Sequence, residues 1–178
     1  SGSADTAVAQ ITAGYNIAHN LTAKHITWGW FQGGFAPTSY SGKTALCDAQ
    51  TKNRFDYISS DYIPHHEPFN YWKETSNPHH LAPSETKYIG SNDQANHQYD
   101  VKEFWKIVAA DNTPAVTYLK APAYQDGHGG YSNPLDEQKW LVNTINNIQS
   151  SKDWSSTAIV VVYDDSDVFS SCRVWYTF

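Results

Sequence analysis

The chain has 178 residues, of which 40% are hydrophobic and 15% aromatic, and this composition excludes a disordered protein. Twelve basic residues against eighteen acidic ones give a formal net charge of -6, which argues against nucleic acid as the main partner. No apolar run approaches the roughly 20 residues that a membrane-spanning helix needs. We therefore expect a single globular domain over residues 1–178, without a transmembrane segment.

The first predicted elements are a helix and an aromatic strand. The helix is predicted over residues 4–24, with its buried positions at Ile11, Ile17, Ala18 and Leu21. Residues 27–31 are rich in aromatic side chains and predict a strand. Residues 32–98 follow, dense in Gly, Pro, Ser, Asn and His without a sustained period. Because long loops in compact domains are usually functional or disordered, and aromatics favour function, we predict an active-site loop region there.

Regular structure is predicted again from Asp100, which precedes a helical face and has a glutamate three residues later. The buried positions of this helix are predicted at Val101, Phe104, Trp105 and Val108. Residues 115–119 predict a strand, and Asn133 followed by Pro134 predicts the start of a second helix. The buried face of that helix is predicted at Leu141, Ile145 and Ile148. This alternation predicts an α/β fold with a mostly parallel sheet flanked by helices.

Residues 159–162 form an apolar run that ends in Tyr163, Asp164 and Asp165. Such a run predicts a strand buried on both faces, so the carboxylates would stand at the carboxyl edge of the sheet. Adjacent carboxylates repel each other unless a cation compensates, and Asp164 with Asp165 therefore predicts a hard metal ion or a neighbouring positive charge. A plain polar turn after the strand is the alternative.

Histidines cluster in the sequence at His65-His66 and at His79-His80, and His128 is flanked by glycines. Prolines on both sides restrict the backbone around His65 and His66, which suits a rigid binding loop. His128 comes after the strand at residues 115–119, so it would meet Asp164 and Asp165 at one sheet edge if the two strands are parallel and close. The alternative is loop histidines bonded to the backbone, and for His79-His80 the two interpretations are balanced. Glu67 is expected to support the site without acting as a catalyst.

Four segments in this order resemble the bacterial phosphoesterase family of acid phosphatases and phospholipases C. Residues 27–31 also resemble the aromatic strand of that family, and the resemblance runs from about residue 15 to residue 167. The four segments are His65-His66-Glu67-Pro68-Phe69, Asn77-Pro78-His79-His80-Leu81, Asp126-Gly127-His128-Gly129 and Tyr163-Asp164-Asp165-Ser166-Asp167.

The resemblance implies an alkaline-phosphatase-like fold that hydrolyses phosphate esters through a hydroxyl nucleophile near a bound divalent metal ion of unknown identity. It implies that Asp164 and Asp165 are metal ligands. It implies that His65, His66 and His128 bind phosphate or handle protons. An extracytoplasmic location, periplasmic or secreted, is implied by the family alone. The sequence leaves the choice between a phosphomonoesterase and a phospholipase C open.

The two ends of the chain differ from the family pattern. The family's metal-binding Glu-Asn motif and its Ser or Thr nucleophile precede the aromatic strand by a long stretch, so we expect the nucleophile outside this chain and a domain incomplete at its N-terminus. Residues 168–178 replace the family's Gly-aromatic-Tyr-Asp-His continuation. A sheet without its first strands has an open edge, which would favour self-association or pairing with a missing companion segment.

Two other functions fit the same sequence. In the first, the chain is a non-catalytic ligand- or ion-binding module, with its seven Trp and twelve Tyr lining a groove for a ring-bearing ligand. In the second, it is an inactive, truncated homologue that has kept the fold and lost the chemistry.

Overall fold

The computed structural model describes residues 11–162 with their side chains and, in addition, the backbone of residues 173–177. Its helices are α1 (Ile17–Ala23), α2 (Val101–Ala109) and α3 (Pro134–Gln149). Its strands are β1 (Trp28–Gln32), β2 (Ser39–Ser41), β3 (Thr44–Leu46), β4 (Gln50–Lys52), β5 (Ile58–Ser60), β6 (Gln98–Asp100), β7 (Val116–Lys120), β8 (Ala158–Val162) and β9 (Arg173–Thr177). Within the described residues, no helix has both the length and the apolar character to cross a membrane.

The central sheet contains five strands in the order β6-β1-β7-β9-β8. Strand β1 pairs in parallel with both β6 and β7, whereas β9 pairs antiparallel with both β7 and β8. Strands β6, β1, β7 and β8 therefore run in the same direction, and β9 opposes them. This topology confirms the predicted α/β fold with a mostly parallel sheet.

Side chains alternate across β1 and β7, so each face of the sheet packs against different helices. On one face, Phe31 and Leu119 pack with Phe104 and Ile107 of α2 and with Ile148 of α3. On the other face, the partners are two tryptophans and a tyrosine from the strands, two residues of α1 and one loop phenylalanine, namely Trp28, Trp30, Tyr118, Ala18, Leu21 and Phe69. Both faces of β1 and β7 are thus covered, which leaves the ends of these two strands as their accessible part.

The predicted N-terminal helix is shorter than expected. Helix α1 begins at Ile17, because the side chain of Asn16 accepts hydrogen bonds from two backbone N–H groups of the first turn and caps it. Ile11 instead forms an isolated parallel bridge with Trp72, and Gly14 has a φ of +92° that a helix does not allow. Ile11 and Ile17 are exposed, so their predicted burial is wrong, whereas that of Ala18 and Leu21 is confirmed. Residues 4–10 lie outside the described part of the chain.

Strand β8 is also placed differently from the expectation. Its side chains alternate between half-buried and exposed, and Val160 keeps 47% of its surface accessible. The predicted burial on both faces is wrong because β8 lies at the end of the sheet. Strand β8 runs in the same direction as β7. The prediction that their carboxyl ends meet requires this shared direction. Strand β9 separates the two, so β7 and β8 lie about 10 Å apart.

The region 32–98 contains more regular structure than its composition predicts. It forms two short antiparallel hairpins, β2 with β3 and β4 with β5, together with several 3₁₀ turns, and it ends in β6. One of these turns, Pro64–His66, carries the first histidine pair. The elements predicted downstream are confirmed: Asp100 caps α2, and Asn133 caps α3 with Pro134 at its first position.

Candidate functional site

The candidate site lies at the carboxyl end of β7, where the strand finishes in a buried lysine. The ammonium group of Lys120 donates a hydrogen bond of 2.8 Å to Oδ2 of Asp126. The side chains are 1% and 0% exposed, respectively. A charged pair removed from water in this way is held by its own attraction and by further hydrogen bonds, since each ion alone would be strongly unfavourable there.

Asp126 is the acceptor around which the site is arranged. Besides Lys120, its Oδ2 has Nδ1 of His66 at 3.4 Å and accepts from the Tyr131 hydroxyl at 3.4 Å. Its Oδ1 accepts from the backbone N–H of His128 at 3.1 Å. Burial alone would raise the pKa of Asp126, but the hydrogen bond from His66 and the charge of Lys120 outweigh it and hold the pKa below the ordinary carboxyl value. Asp126 is therefore ionised at neutral pH.

His66 is held between this carboxylate and a rigid turn. Pro64 starts the 3₁₀ turn, and the backbone N–H of His66 closes it onto the carbonyl of Ile63 at 3.1 Å. Burial lowers the pKa of His66 below its ordinary value, and the charge of Lys120 lowers it further, while the hydrogen bond to Asp126 offsets part of the shift. At neutral pH the ring is neutral. Because an ionised carboxylate only accepts hydrogen bonds, Nδ1 carries the ring proton and Nε2 carries the lone pair.

His128 follows a glycine that the backbone requires. Gly127 has a φ of +78°, and a Cβ at this position would collide with the carboxylate of Glu137. The His128 ring stacks on that of Tyr131, with centroids 4.3 Å apart and planes within 8°. Its Nδ1 accepts a hydrogen bond from the backbone N–H of Gly130 at 3.2 Å. In the neutral ring, Nε2 is then the protonated nitrogen, which is the opposite of His66.

The structure brings together the three histidines that the sequence singled out. The ring centroids of His65 and His66 are 4.6 Å apart, and those of His66 and His128 are 6.2 Å apart. His65 is exposed and His128 is half-buried, so the cluster is open to solvent on one side. Rings this close together can contact the oxygens of a single phosphate group.

Glu67 and the second histidine pair, His79 and His80, make different contacts from those of the three clustered histidines. Glu67 is fully buried and accepts hydrogen bonds from Tyr62 at 2.9 Å and from Asn70 at 3.1 Å, so its supporting role in the site stays a prediction. His79 lies on the surface beside a backbone carbonyl. His80 is buried, with Nδ1 at 2.6 Å from the carbonyl of Phe35. These contacts of His79 and His80 are those of loop structure.

The predicted metal ligands, Asp164 and Asp165, lie outside the described residues. Among residues 11–162, no group of three or more His, Cys, Asp and Glu side chains is arranged to hold a metal ion. The described part of the site therefore consists of imidazoles around a buried ion pair. A metal centre here stays a prediction from the sequence.

Sequence reasoning missed Lys120, Asp126 and Tyr131 as parts of the site. Asp126 belongs to the segment Asp126-Gly127-His128, in which the pattern indicated a role for the histidine between glycines but none for the aspartate. A signal for Lys120 was its position at the end of an apolar strand, because lysine is almost never fully buried unless it is paired. Nothing in the sequence indicates which carboxylate is its partner.

Residues 1–171 match the sequence model of the phosphoesterase family. The chain belongs to the phosphoesterase family. This confirms the family that the motifs indicated and, at the family level, assigns hydrolysis of phosphate esters to the chain. No curated protein matches the chain.

Proposed function

We propose that this phosphoesterase-family chain provides the acid–base part of a phosphate-ester hydrolase of the acid phosphatase or phospholipase C type. One observation carries the proposal: two imidazoles whose ring centroids lie 6.2 Å apart are attached to the same buried carboxylate, one through its side chain and one through its backbone. Their hydrogen bonds assign them opposite tautomers. One ring offers a hydrogen-bond acceptor and the other a donor. A phosphoryl transfer needs both.

In this mechanism His66 is the base. An attacking hydroxyl forms its oxygen–phosphorus bond and gives its proton to Nε2 of His66, whose new positive charge is stabilised by Asp126. The bond between phosphorus and the leaving oxygen breaks, the leaving oxygen takes a proton from solvent, and His66 returns its proton to solvent. General base catalysis of this kind is typically worth about 100-fold to 10,000-fold in rate.

His128 and His65 act on the phosphate oxygens. The Nε2–H of His128 donates a hydrogen bond to an oxygen on which negative charge develops, and a single donor of this type is worth about 100-fold or more. His65 is exposed beside His66, which supports a role in binding the substrate phosphate as it enters. The stacked Tyr131 ring holds His128 in this role.

The hydroxyl nucleophile, the metal ion and the location complete the proposal. The nucleophile is proposed to lie outside this chain, and Asp164 and Asp165 are proposed to hold a divalent cation. When bound, such an ion would neutralise charge on the phosphoryl oxygens. An extracytoplasmic location rests on the family resemblance.

The rival function, a binding module with an aromatic groove, has less support from the fold. Trp28, Trp30 and Tyr99 are at most 2% exposed and pack in the cores on the two faces of the sheet. These side chains therefore stabilise the sheet and cannot line a groove. The inactive homologue differs from the enzyme only in turnover, which the following experiment measures.

The test is hydrolysis of an aryl phosphate across pH 4 to 9, with and without divalent metals, by the wild type, by His128→Ala and by His79→Ala. His79 is the matched control, since it is an exposed loop histidine outside the cluster. We expect turnover to fall about 100-fold in His128→Ala and to stay unchanged in His79→Ala. Measurable turnover that is equal in all three proteins would contradict the proposed role of His128.

A chain that lacks its nucleophile would show no turnover, and binding then replaces hydrolysis as the measurement. Titration with an aryl phosphonate, followed by the histidine resonances in NMR spectra, should shift His65, His66 and His128 and leave His79 in place. Binding that is unaffected by His66→Ala and His128→Ala would sink the proposal. Binding that both variants weaken, without turnover in the wild type, would place the nucleophile outside the chain.

A further inference from the structure

Lys120 is a buried cation that the packing of the strand does not require. It ends β7 on the central sheet, and its neighbours Tyr118 and Leu119 are ordinary core residues. Burying an ion pair gives little or no net stability compared with well-packed apolar residues of similar volume. The ammonium group therefore calls for a role beyond packing.

The position of the ammonium group relates Lys120 to His66. Lys120 Nζ and His66 Nδ1 both contact Oδ2 of Asp126, at 2.8 Å and 3.4 Å. Two donors on one carboxylate oxygen are near neighbours, and both are nearly removed from water. If His66 gained a proton, two positive charges would contact the same carboxylate oxygen, and the low local dielectric would make their repulsion strong.

Three other groups around His66 bear on its charge. His65 and His128 are its ring neighbours, and Glu67, next to it in the chain, has its carboxylate engaged by Tyr62 and Asn70. Asp126 favours a protonated His66, whereas Lys120 opposes it. Burial of the ring also disfavours the cation and is the largest of these effects, so Lys120 offsets part of the influence of Asp126 and helps to keep His66 a base.

We propose that Lys120 is a positioning residue of the hydrolase: its buried ammonium group fixes the Asp126 carboxylate and keeps the His66 ring neutral, with its proton on Nδ1 and its lone pair on Nε2. Lys120 does not touch the substrate in this arrangement. It acts through Asp126 and His66. The catalytic part of this proposal rests on the proposed function. The protonation state and tautomer of the His66 ring can be measured without turnover.

The experiment is a pH titration of the ¹⁵N-labelled histidine rings by NMR in the whole chain, for the wild type, Lys120→Met and Lys120→Arg. Lys139→Met is the matched control, because Lys139 is exposed on α3. In the wild type at pH 7, His66 should show the Nδ1–H tautomer. Its titration midpoint should rise in Lys120→Met, stay near the wild-type value in Lys120→Arg, and not move in the control.

Three results would overturn the proposal. They are an Nε2–H or cationic His66 in the wild type at pH 7, a midpoint in folded Lys120→Met that does not rise, and a rise in Lys120→Arg as large as in Lys120→Met. If circular dichroism shows that Lys120→Met does not fold, Lys120→Gln takes its place, since glutamine still donates a hydrogen bond to Asp126 without a charge.

If the chain hydrolyses an aryl phosphate, the pH profile of kcat/KM gives a second readout. The acid limb of the profile reports protonation of the base, so it should move to higher pH in Lys120→Met and stay in place in Lys120→Arg. A purely structural role would lower the rate at every pH and leave the limb where it was. Expected titrations in a chain that binds no aryl phosphonate at the three histidines would refute the proposed function and leave the role of Lys120 intact.

Discussion

Two buried histidines, His66 and His97, lie at opposite edges of the sheet and differ in what surrounds them. His66 stands at the carboxyl edge with an ion pair and two further imidazoles. His97 precedes β6 at the amino edge, stacks on Trp28 with centroids 4.2 Å apart, and has Nδ1 at 2.7 Å from the carbonyl of Trp28. Burial lowers the pKa of both rings. A shifted pKa alone therefore does not mark a site, whereas the convergence of chargeable groups does.

The largest effect should come from breaking the buried ion pair between Lys120 and Asp126 beside His66. Asp126→Asn would remove the negative charge that lies 2.8 Å from the buried Lys120 ammonium, and we expect a loss of about 3–5 kcal/mol in the free energy of unfolding. Urea denaturation measures it. The control is Asp56→Asn, which removes an exposed ion pair with Lys52 and should cost at most about 1 kcal/mol. Similar losses in both variants would contradict the buried pair's importance.

The two histidines should separate activity from stability. If the chain hydrolyses an aryl phosphate, we expect His66→Asn to reduce that turnover about 100-fold or more, because the base is lost. His97→Asn should lower the melting temperature, because stacking on Trp28 is lost, and leave the turnover of each folded molecule unchanged. Thermal melts and rates on the same samples give both numbers. A large fall in turnover for His97→Asn would mean that the amino edge also takes part in the reaction.

A glycine of the His128 loop tests how tightly this region is built. Gly127→Ala meets a φ of +78° and must also push the end of the Glu137 side chain aside, so we expect it to destabilise the chain by about 2 kcal/mol. Gly42 also has a positive φ, of +62°, but no heavy atom lies within 4 Å of the Cβ position. Gly42→Ala should therefore cost only the backbone term, about 1 kcal/mol. Equal values from denaturation of both variants would count against the close packing of the loop.

The smallest effect should be the pH dependence that the two histidines share. Because their pKa values are lower in the folded chain, the unfolded chain takes up protons first as the pH falls below the ordinary value of 6.5. Stability is then full above pH 6.5 and declines below it, until the folded-state pKa values are reached. The melting temperature between pH 7.5 and pH 5 measures this slope. His66→Asn and His97→Asn should each flatten it, and a slope unchanged by either substitution would rule out this origin.

Local signals explain which parts of the fold were predictable. Asp100 and Asn133 cap α2 and α3 as predicted, because an N-cap depends on the cap residue and the next three positions. The same locality explains the error at α1, where Asn16 was a capping residue inside a segment assigned to helix. The predicted histidines His65, His66 and His128 do meet. His65 and His66 share the turn Pro64–His66, and His128 lies in the loop that follows β7.

The sequence by itself determined the α/β class, the N-caps of α2 and α3, and the loop in which glycines flank His128. These features depend on residues within a few positions of each other. Only the tertiary structure decided the partners of Asp126, the burial of Lys120 and the place of β8 at the sheet end. Each of these depends on which distant surfaces pack together. A lysine at the end of a strand becomes a buried cation, rather than a solvated one, only when the loop with Asp126 and the turn with His66 close over it.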